Sequence, residues 1–291
     1  MTENRTGTRN LIFALFAAFS VFIYSPYLIA LYNLSSENEL YSYAPFIPLF
    51  SAYLLYSNRK KIFTQTGFSN RGIALIIASG LLYAAAQFSA LSGDNILTVM
   101  AVSWAAFLSG GFMTVYGTRA ARAGAFPLAF LLFMAPLPQS AVDTLTQLLQ
   151  SWSAETAWWL FNLVGAPVHR EGYFFHLPGL TVEVAKQCSG IRSSMALFIS
   201  GVLASHLFLR TWPARGALLA AVVPIAVLKN GLRITALTLS GYYVDERMLY
   251  GSLHTRGGML FFGVAIALAG CAVWGLRALE RKSAKKNAAG A

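Results

Sequence analysis

The chain of 291 residues is 56% hydrophobic and only 11% charged, and its mean hydropathy is +0.56. Soluble domains carry about 25% charged residues, so this composition excludes an ordinary water-soluble protein. The net charge of +11 does not require a nucleic-acid partner, because basic cytoplasmic loops are typical of membrane proteins. We therefore expect an all-α, polytopic integral membrane helical bundle that binds no nucleic acid.

Eight apolar runs predict about eight transmembrane helices, since a bilayer span takes roughly 20 residues. The first run is too long for the hydrophobic region of a signal peptide and lacks a convincing cleavage site, so we interpret it as a span. The second and fifth runs are short and contain or border prolines. The predicted spans are residues 11–32, 41–56, 72–91, 96–117, 125–137, 189–209, 217–240 and 259–276.

The distribution of basic residues predicts the orientation of these spans. With the N-terminus in the cytoplasm, the cytoplasmic loops hold 15 Lys and Arg residues and the outer loops hold 4. Positive loops remain inside, so both termini are predicted to be cytoplasmic in a multi-pass protein of the cytoplasmic (inner) membrane. We interpret residues 1–276 as a single transmembrane domain and residues 277–291 as a basic cytoplasmic tail.

Two features are predicted for the long outer segment between the fifth and sixth spans. Residues 139–164 are apolar at helical spacing but contain two acids and three tryptophans, which favours a helix lying in the membrane interface. The alternative is a ninth span, which would turn the basic loop 210–216 and the tail outward. Residues 169–184 alternate around a Pro-Gly pair and predict a short hairpin on the outer face.

The stretch VEVAKQCSGIRSS, residues 182–194, contains one of the two cysteines of the chain. A cysteine reacts as its thiolate, which helix N-termini and neighbouring cations favour. Cys188 precedes the sixth span and has Lys186 and Arg192 beside it, which indicates a reactive sulfur; a small apolar residue at a helix end is the alternative. Arg192, four residues later, is expected on the same helical face, as a partner in a site or a structural charge. If the helix extends backward, Glu183 could orient a base or Lys186.

The seventh predicted span carries Lys229 and Arg233 at i, i+4 spacing, with Asn230 near the same face. A charge at mid-bilayer costs at least ~2.5 kcal/mol, so such residues mark a polar site by default. Snorkelling of Arg233 to the interface is the alternative, and Asn230 favours a buried polar site instead. The predicted topology puts Cys188, Arg233 and His254, which lies just before the last span, on the outer side of the membrane.

These three residue types are suited to acyl transfer. Cys188 would attack a carbonyl carbon, Arg233 would hold the oxyanion, and His254 would protonate the leaving amine and then activate an acceptor. A disulfide is not expected, because Cys271 lies about 18 Å deeper in its helix and a bridge needs Cα atoms within ~7 Å. No metal- or phosphate-binding motif is present, so we expect no metal and no cofactor.

The sequences QCSGIRSS at 187–194 and NGLRI at 230–234, with a histidine before the last span, resemble the exosortase/archaeosortase family of integral-membrane cysteine transpeptidases. FPLAFLLFMAPLP at 126–138 resembles the span that precedes the long outer segment, and the resemblance covers about residues 100–270. It implies Cys188 as nucleophile with Arg233 and His254 in the site. Histidine at position 254 resembles the bacterial branch more than the archaeal one.

The resemblance also implies the partners. Bacterial members process exported proteins that end in a Pro-Glu-Pro-type motif, a transmembrane helix and a basic tail, and they pass the new C-terminus to an acceptor. The enzyme and the transmembrane helix of its substrate would both be in contact with membrane lipids. The acceptor and the oligomeric state stay open.

Two other functions are consistent with parts of the sequence. A transporter or channel could use Lys229, Arg233 and Arg192 along an anion path, although few ionisable groups lie on the inner half of the spans. The protein could also be an assembly factor with no catalytic activity, in which case the Cys188→Ala variant would keep its function.

Overall fold

The computed structural model describes residues 2–64, 66–245, 247 and 252–289, without the side chains of residues 2–6, 187, 252–257 and 286–289. The described chain is mostly helical and forms two compact units, Met1–Ala141 and Val142–Ala291. Its helices are α1 (Thr2–Glu37), α2 (Phe46–Ser57), α3 (Arg59–Ile62), α4 (Asn70–Gln87), α5 (Asp94–Ala123), α6 (Ala125–Phe130), α7 (Gln139–Leu163), α8 (Ile191–Phe208), α9 (Trp212–Tyr243) and α10 (Ser252–Ala289).

In the first unit, α5 packs against α1 and α4, and α2 packs against α6. Buried hydroxyl groups hold the three apolar helices together. The hydroxyls of Tyr24 and Ser103 share a hydrogen bond of 2.7 Å, and Ser103 Oγ also donates to the carbonyl of Ser79 at 2.8 Å. Such bonds satisfy polar groups that would otherwise lie unpaired between apolar helices.

Five helices of the described chain are long and apolar enough to cross a membrane. The number rises to six if the bent pair formed by Ala125–Met134 and Gln139–Leu163 is one broken span. The five coincide with the predicted spans 11–32, 96–117, 189–209, 217–240 and 259–276. A multi-pass helical membrane protein is therefore confirmed.

The count of eight spans is not confirmed. The run 41–56 contains only the 12-residue helix α2, which is about 18 Å long, whereas the hydrocarbon core is about 30 Å thick. Helix α4 has 18 residues but polar ones at both ends, which lowers its hydropathy. The run 125–137 forms the short helix α6 and a 3-10 turn.

The second unit contains the predicted hairpin together with a third strand. Strands β1 (His169–Glu171), β2 (Phe174–Leu177) and β3 (Leu180–Glu183) form an antiparallel sheet in the order β1-β2-β3. Pro178 and Gly179 make the turn between β2 and β3, as the sequence predicts. The sheet shares a core with α7 and α9, whose buried members are Ala154, Ala157, Phe161, Phe175, Leu177, Val184 and Ile234.

Helices α8, α9 and α10 pack against one another in the same unit. Helix α9 begins where the Thr211 side chain accepts a hydrogen bond from the backbone N–H of Ala214, and a proline follows in the first turn. Both features favour a helix start. Helix α10 continues to Ala289 without a break at residue 276, where the sequence predicts the start of the basic tail. The interfacial position of α7 stays a prediction.

Candidate active site

Cys188 lies in a short 3-10 turn, Lys186–Ser189, between β3 and α8. Its backbone N–H donates to the carbonyl of Ala185 at 2.8 Å, which closes the turn. Gly190 follows in the left-handed conformation, with φ of 75°, and α8 starts at the next residue. The sulfur is therefore presented just before a helix start, and the cysteine is only partly buried.

This local geometry corrects two predictions. Cys188 and Arg192 do not share a helical face, because the left-handed Gly190 separates the turn from α8; Arg192 lies exposed in the first turn of that helix. Glu183 does not lie on a backward extension of the helix, because it is the last residue of β3. A left-handed residue at this point ends any continuous helix from one side to the other.

Helix α9 contacts the cysteine turn through Asn230. The Nδ2 of this asparagine donates to the carbonyl of Cys188 at 2.7 Å, and the side chain is 1% exposed. A side chain at position 190 would put its Cβ 2.7 Å from Asn230 Oδ1, so both the conformation and the space require glycine there. Asn230 is thus a buried polar residue that contacts the cysteine turn.

A second contact comes from Lys229, which is 4% exposed and donates to the hydroxyl of Ser193. Ser193 in turn donates to the carbonyl of Gly190 at 3.1 Å. A buried ammonium needs such a partner, since an unpaired charge in an apolar interior is costly. Asn230 therefore attaches the cysteine turn to α9, and Lys229 attaches the first turn of α8 that follows it.

Helix α9 is held in place by close packing against α7. A Cβ at Gly231 would lie 2.8 Å from Thr156 Cβ, so only a residue without a side chain allows this approach. Thr235 Oγ1 donates to the carbonyl of Ala157 on the same side of α9, at 3.4 Å. In α7, Gln150 Nε2 also donates to the carbonyl of Val184 at 2.6 Å, which ties the chain after β3 to this helix.

Cys188 and Arg233 line one cavity of about 340 Å³. Residues of β3 and the chain after it form one wall, and α9 forms the other. The wall residues are Thr181, Val182, Glu183, Val184 and Ala185 on the strand side, and Arg233, Ile234, Leu237 and Thr238 on the helix side. A pocket of this size falls within the usual range for small ligands or a short peptide segment.

Two polar atoms at this cavity are buried without a protein partner. Arg233 Nε and Thr238 Oγ1 make no hydrogen bond within the described part of the chain. Leaving a buried donor unpaired costs about 1–3 kcal/mol, more for a charged group.

Of the remaining predicted site residues whose side chains the structure describes, only one lines the cavity. Glu183 lines the cavity, whereas Lys186 and Arg192 are exposed and are not among its lining residues. The backbone of His254 belongs to the first turn of α10, and its side chain lies outside the described residues. Both cysteines are free thiols, and Cys271 is exposed on α10.

Sequence reasoning missed three side chains at or near the site: Ser193, Thr238 and Gln150. The sequence does contain an indication for Gln150, because this polar residue lies on the apolar stripe of α7 that continues through Ala154, Ala157 and Phe161. A polar residue on a buried stripe indicates a specific partner. Ser193 and Thr238 have ordinary neighbours in the sequence, and only the packing of α8 and α9 reveals their surroundings.

The geometry defines a helical membrane protein with a partly buried cysteine and an arginine at one cavity. Comparison with models of protein families matches residues 33–271 to the family described as transmembrane exosortase. The match covers well over half of the chain and includes every predicted site residue. The chain therefore belongs to the exosortase family.

Exosortases are membrane-embedded enzymes that process the C-terminal sorting signals of exported proteins. No curated protein and no solved structure matches this chain significantly.

Proposed function

We propose that this protein is a cysteine transpeptidase that cleaves a C-terminal sorting signal and transfers the new C-terminus to an acceptor. The observation that supports this most directly is the shared cavity of Cys188 and Arg233. These residues come from separate parts of the chain, and the cavity walls otherwise combine apolar side chains with those of Thr181, Glu183 and Thr238. A nucleophile and a cation that line the same cavity are suited to acyl transfer.

The reaction has two stages in this proposal. The thiolate of Cys188 attacks the scissile carbonyl carbon, a carbon–sulfur bond forms, and Arg233 stabilises the resulting oxyanion. Collapse of this intermediate breaks the carbon–nitrogen bond, and His254 protonates the departing amine. The acceptor then loses its proton to His254 and attacks the thioester, and the sulfur leaves as thiolate.

Supporting roles follow from the contacts at the turn. Asn230 and Lys229 act as positioning residues, because they hold the carbonyl groups of Cys188 and Gly190 directly and through Ser193. Glu183 would orient a base from the cavity wall. Lys186 and Arg192 would add positive charge on either side of the cysteine in the chain.

The proposed substrate carries a Pro-Glu-Pro-type motif, a transmembrane helix and a basic tail, as in the bacterial branch of the family. The site is proposed to face the extracytoplasmic side of the inner membrane, with eight spans, an interfacial α7 and cytoplasmic termini. The excess of basic residues in the predicted cytoplasmic loops supports this orientation.

Thiol labelling tests the orientation. A reagent that cannot cross the membrane should label Cys188 in intact spheroplasts and spare Cys271, which the proposed topology puts within the last span. Cys188→Ala and Cys271→Ala variants assign the labelled sulfur. Labelling of Cys188 only after the cytoplasmic side is opened would contradict the proposed topology.

A covalent adduct tests the mechanism. After acid quenching of the enzyme with a tethered sorting-signal substrate, mass spectrometry should find the acyl fragment attached to Cys188. The adduct should be absent in Cys188→Ala and reduced in His254→Ala, because the leaving amine is then not protonated. Cleavage without any acyl-enzyme under conditions of rapid quenching would argue against a thioester.

A further inference from the structure

Strand β3 has a free edge that leads toward Cys188. Because the sheet order is β1-β2-β3, β3 pairs with β2 on one side only. Val184 N–H donates to the carbonyl of Tyr173 at 2.9 Å, and the register pairs Val182 with Phe175. In an antiparallel pair, alternate residues direct their backbone groups to the partner.

The alternation determines which backbone groups face the free edge. Val182 and Val184 are bonded toward β2, so the N–H and C=O groups of Thr181 and Glu183 point away from it. Both residues are exposed. Their backbone groups accept or donate no hydrogen bond beyond the sheet within the part of the chain that the structure describes.

The cavity runs along this edge. Successive residues of a strand point to opposite faces, yet the five consecutive residues 181–185 all line the cavity. A cavity that contacts five residues in a row follows the edge of the strand rather than one of its faces. Helix α9 forms its other wall, and Cys188 lies on the chain three residues beyond it.

We propose that the polypeptide substrate binds as an added strand on the free edge of β3, with its main chain paired to Thr181 and Glu183. This rests on the proposed function and specifies how the substrate is held. At about 3.3 Å per residue, the wall from 181 to 185 accommodates roughly four substrate residues in extended conformation. Strand addition derives affinity from main-chain hydrogen bonds.

The geometry also explains how a scissile carbonyl would reach the sulfur. A strand paired with β3 continues past Val184 toward the turn that holds Cys188. On the opposite wall lies Arg233, whose side chain is only half-buried and whose guanidinium carries further N–H donors besides the buried Nε. The cavity therefore offers hydrogen-bond donors on two sides of an extended chain.

Proline substitution tests the edge in the full-length protein. Thr181→Pro removes a backbone N–H that faces the substrate, whereas Thr181→Ala removes only the side chain and its contact with His176. We expect kcat/KM for a tethered substrate to be about fivefold to tenfold lower for proline than for alanine, as for the loss of one hydrogen bond. Proline is tolerated on an edge strand.

The opposite edge supplies the matched control. Arg170 of β1 also directs its backbone N–H away from β2, by the same alternation. The kcat/KM values of Arg170→Pro and Arg170→Ala should differ by no more than about twofold, because no substrate strand pairs at this edge. Equal proline-to-alanine ratios at both edges would overturn the proposal.

Amide hydrogen exchange gives a readout that does not depend on turnover. The probe is a synthetic peptide with a Pro-Glu-Pro motif, a hydrophobic helix and a basic tail, added to Cys188→Ala protein. Exchange at Thr181 and Glu183 should slow, while Val182 and Val184, already bonded to β2, change little. If saturating peptide leaves both edge amides unprotected, the proposal is wrong, even where proline variants fail to accumulate.

The two proposals fail in different ways. Cleavage by Cys188→Ala would end the proposed mechanism without affecting protection of the β3 edge. Normal dependence on Cys188, with no proline effect at Thr181 and no protection at the edge, would end the strand-addition proposal alone.

Discussion

Cys188→Ala is expected to abolish cleavage of a membrane-tethered sorting signal while the protein still inserts. Removing the nucleophile of a covalent mechanism costs about 10⁴ to 10⁶ in rate. The packing around position 188 should tolerate alanine, because the cysteine is only partly buried and Asn230 bonds to its backbone carbonyl. The measurement is the appearance of processed substrate in membranes that contain equal amounts of each variant.

Cys271→Ala is the matched control, since this cysteine is exposed on α10 and does not line the cavity. It should process substrate at close to the rate of the unmodified protein. Cys188→Ser should retain slight activity, because a hydroxyl is a weaker nucleophile at the same position. Normal cleavage by Cys188→Ala would disprove the nucleophile assignment.

Arg233→Met is expected to lower the rate of acylation by about 10² to 10³, the usual cost of losing an oxyanion donor. Methionine preserves much of the apolar stem and removes the guanidinium, whose Nε is buried without a partner at the cavity. Arg233→Lys should recover part of the loss, because a cation returns without the planar set of donors. Single-turnover formation of the Cys188 adduct measures this step directly.

The Arg192→Met variant tests whether Arg233 acts specifically on the oxyanion or only as one of several nearby positive charges. Arg192 is exposed in the first turn of α8 and is not among the residues that line the cavity. If Arg233 acts directly on the oxyanion, Arg192→Met should slow acylation far less than Arg233→Met. Equal losses would mean that the two arginines act only through the local field, and the oxyanion assignment would be wrong.

Much of the architecture could be predicted because it depends on local patterns. Five predicted spans coincide with long apolar helices, and the Pro-Gly pair within alternating residues predicts the turn between β2 and β3. The count of eight is not confirmed, because some of the apolar runs are interrupted. Helix α2 ends after 12 residues, and polar residues at both ends of α4 lower its hydropathy. Hydrophobicity alone does not reveal where a helix stops.

The site could be predicted in part because charges within apolar helices are costly. That cost predicts a polar site at three residues of α9. All three lie at or beside the cysteine turn: Lys229, Asn230 and Arg233. The relation of Cys188 to Arg192 and Glu183 was mispredicted, because helical spacing assumes a continuous helix. Gly190 is left-handed and is approached closely by Asn230, 40 residues later in the chain, and spacing does not encode either feature.

The attachment of the cysteine turn and of the first turn of α8 to α9 has a mechanical consequence. The bonds from Lys229 and Asn230 lie within one turn of Arg233, beyond Pro224, which leaves a backbone carbonyl of this helix without its usual donor. Flexing at that proline would swing the nucleophile and the guanidinium as one rigid piece. The distance between the two groups is thus kept while the long helix α9 bends at Pro224.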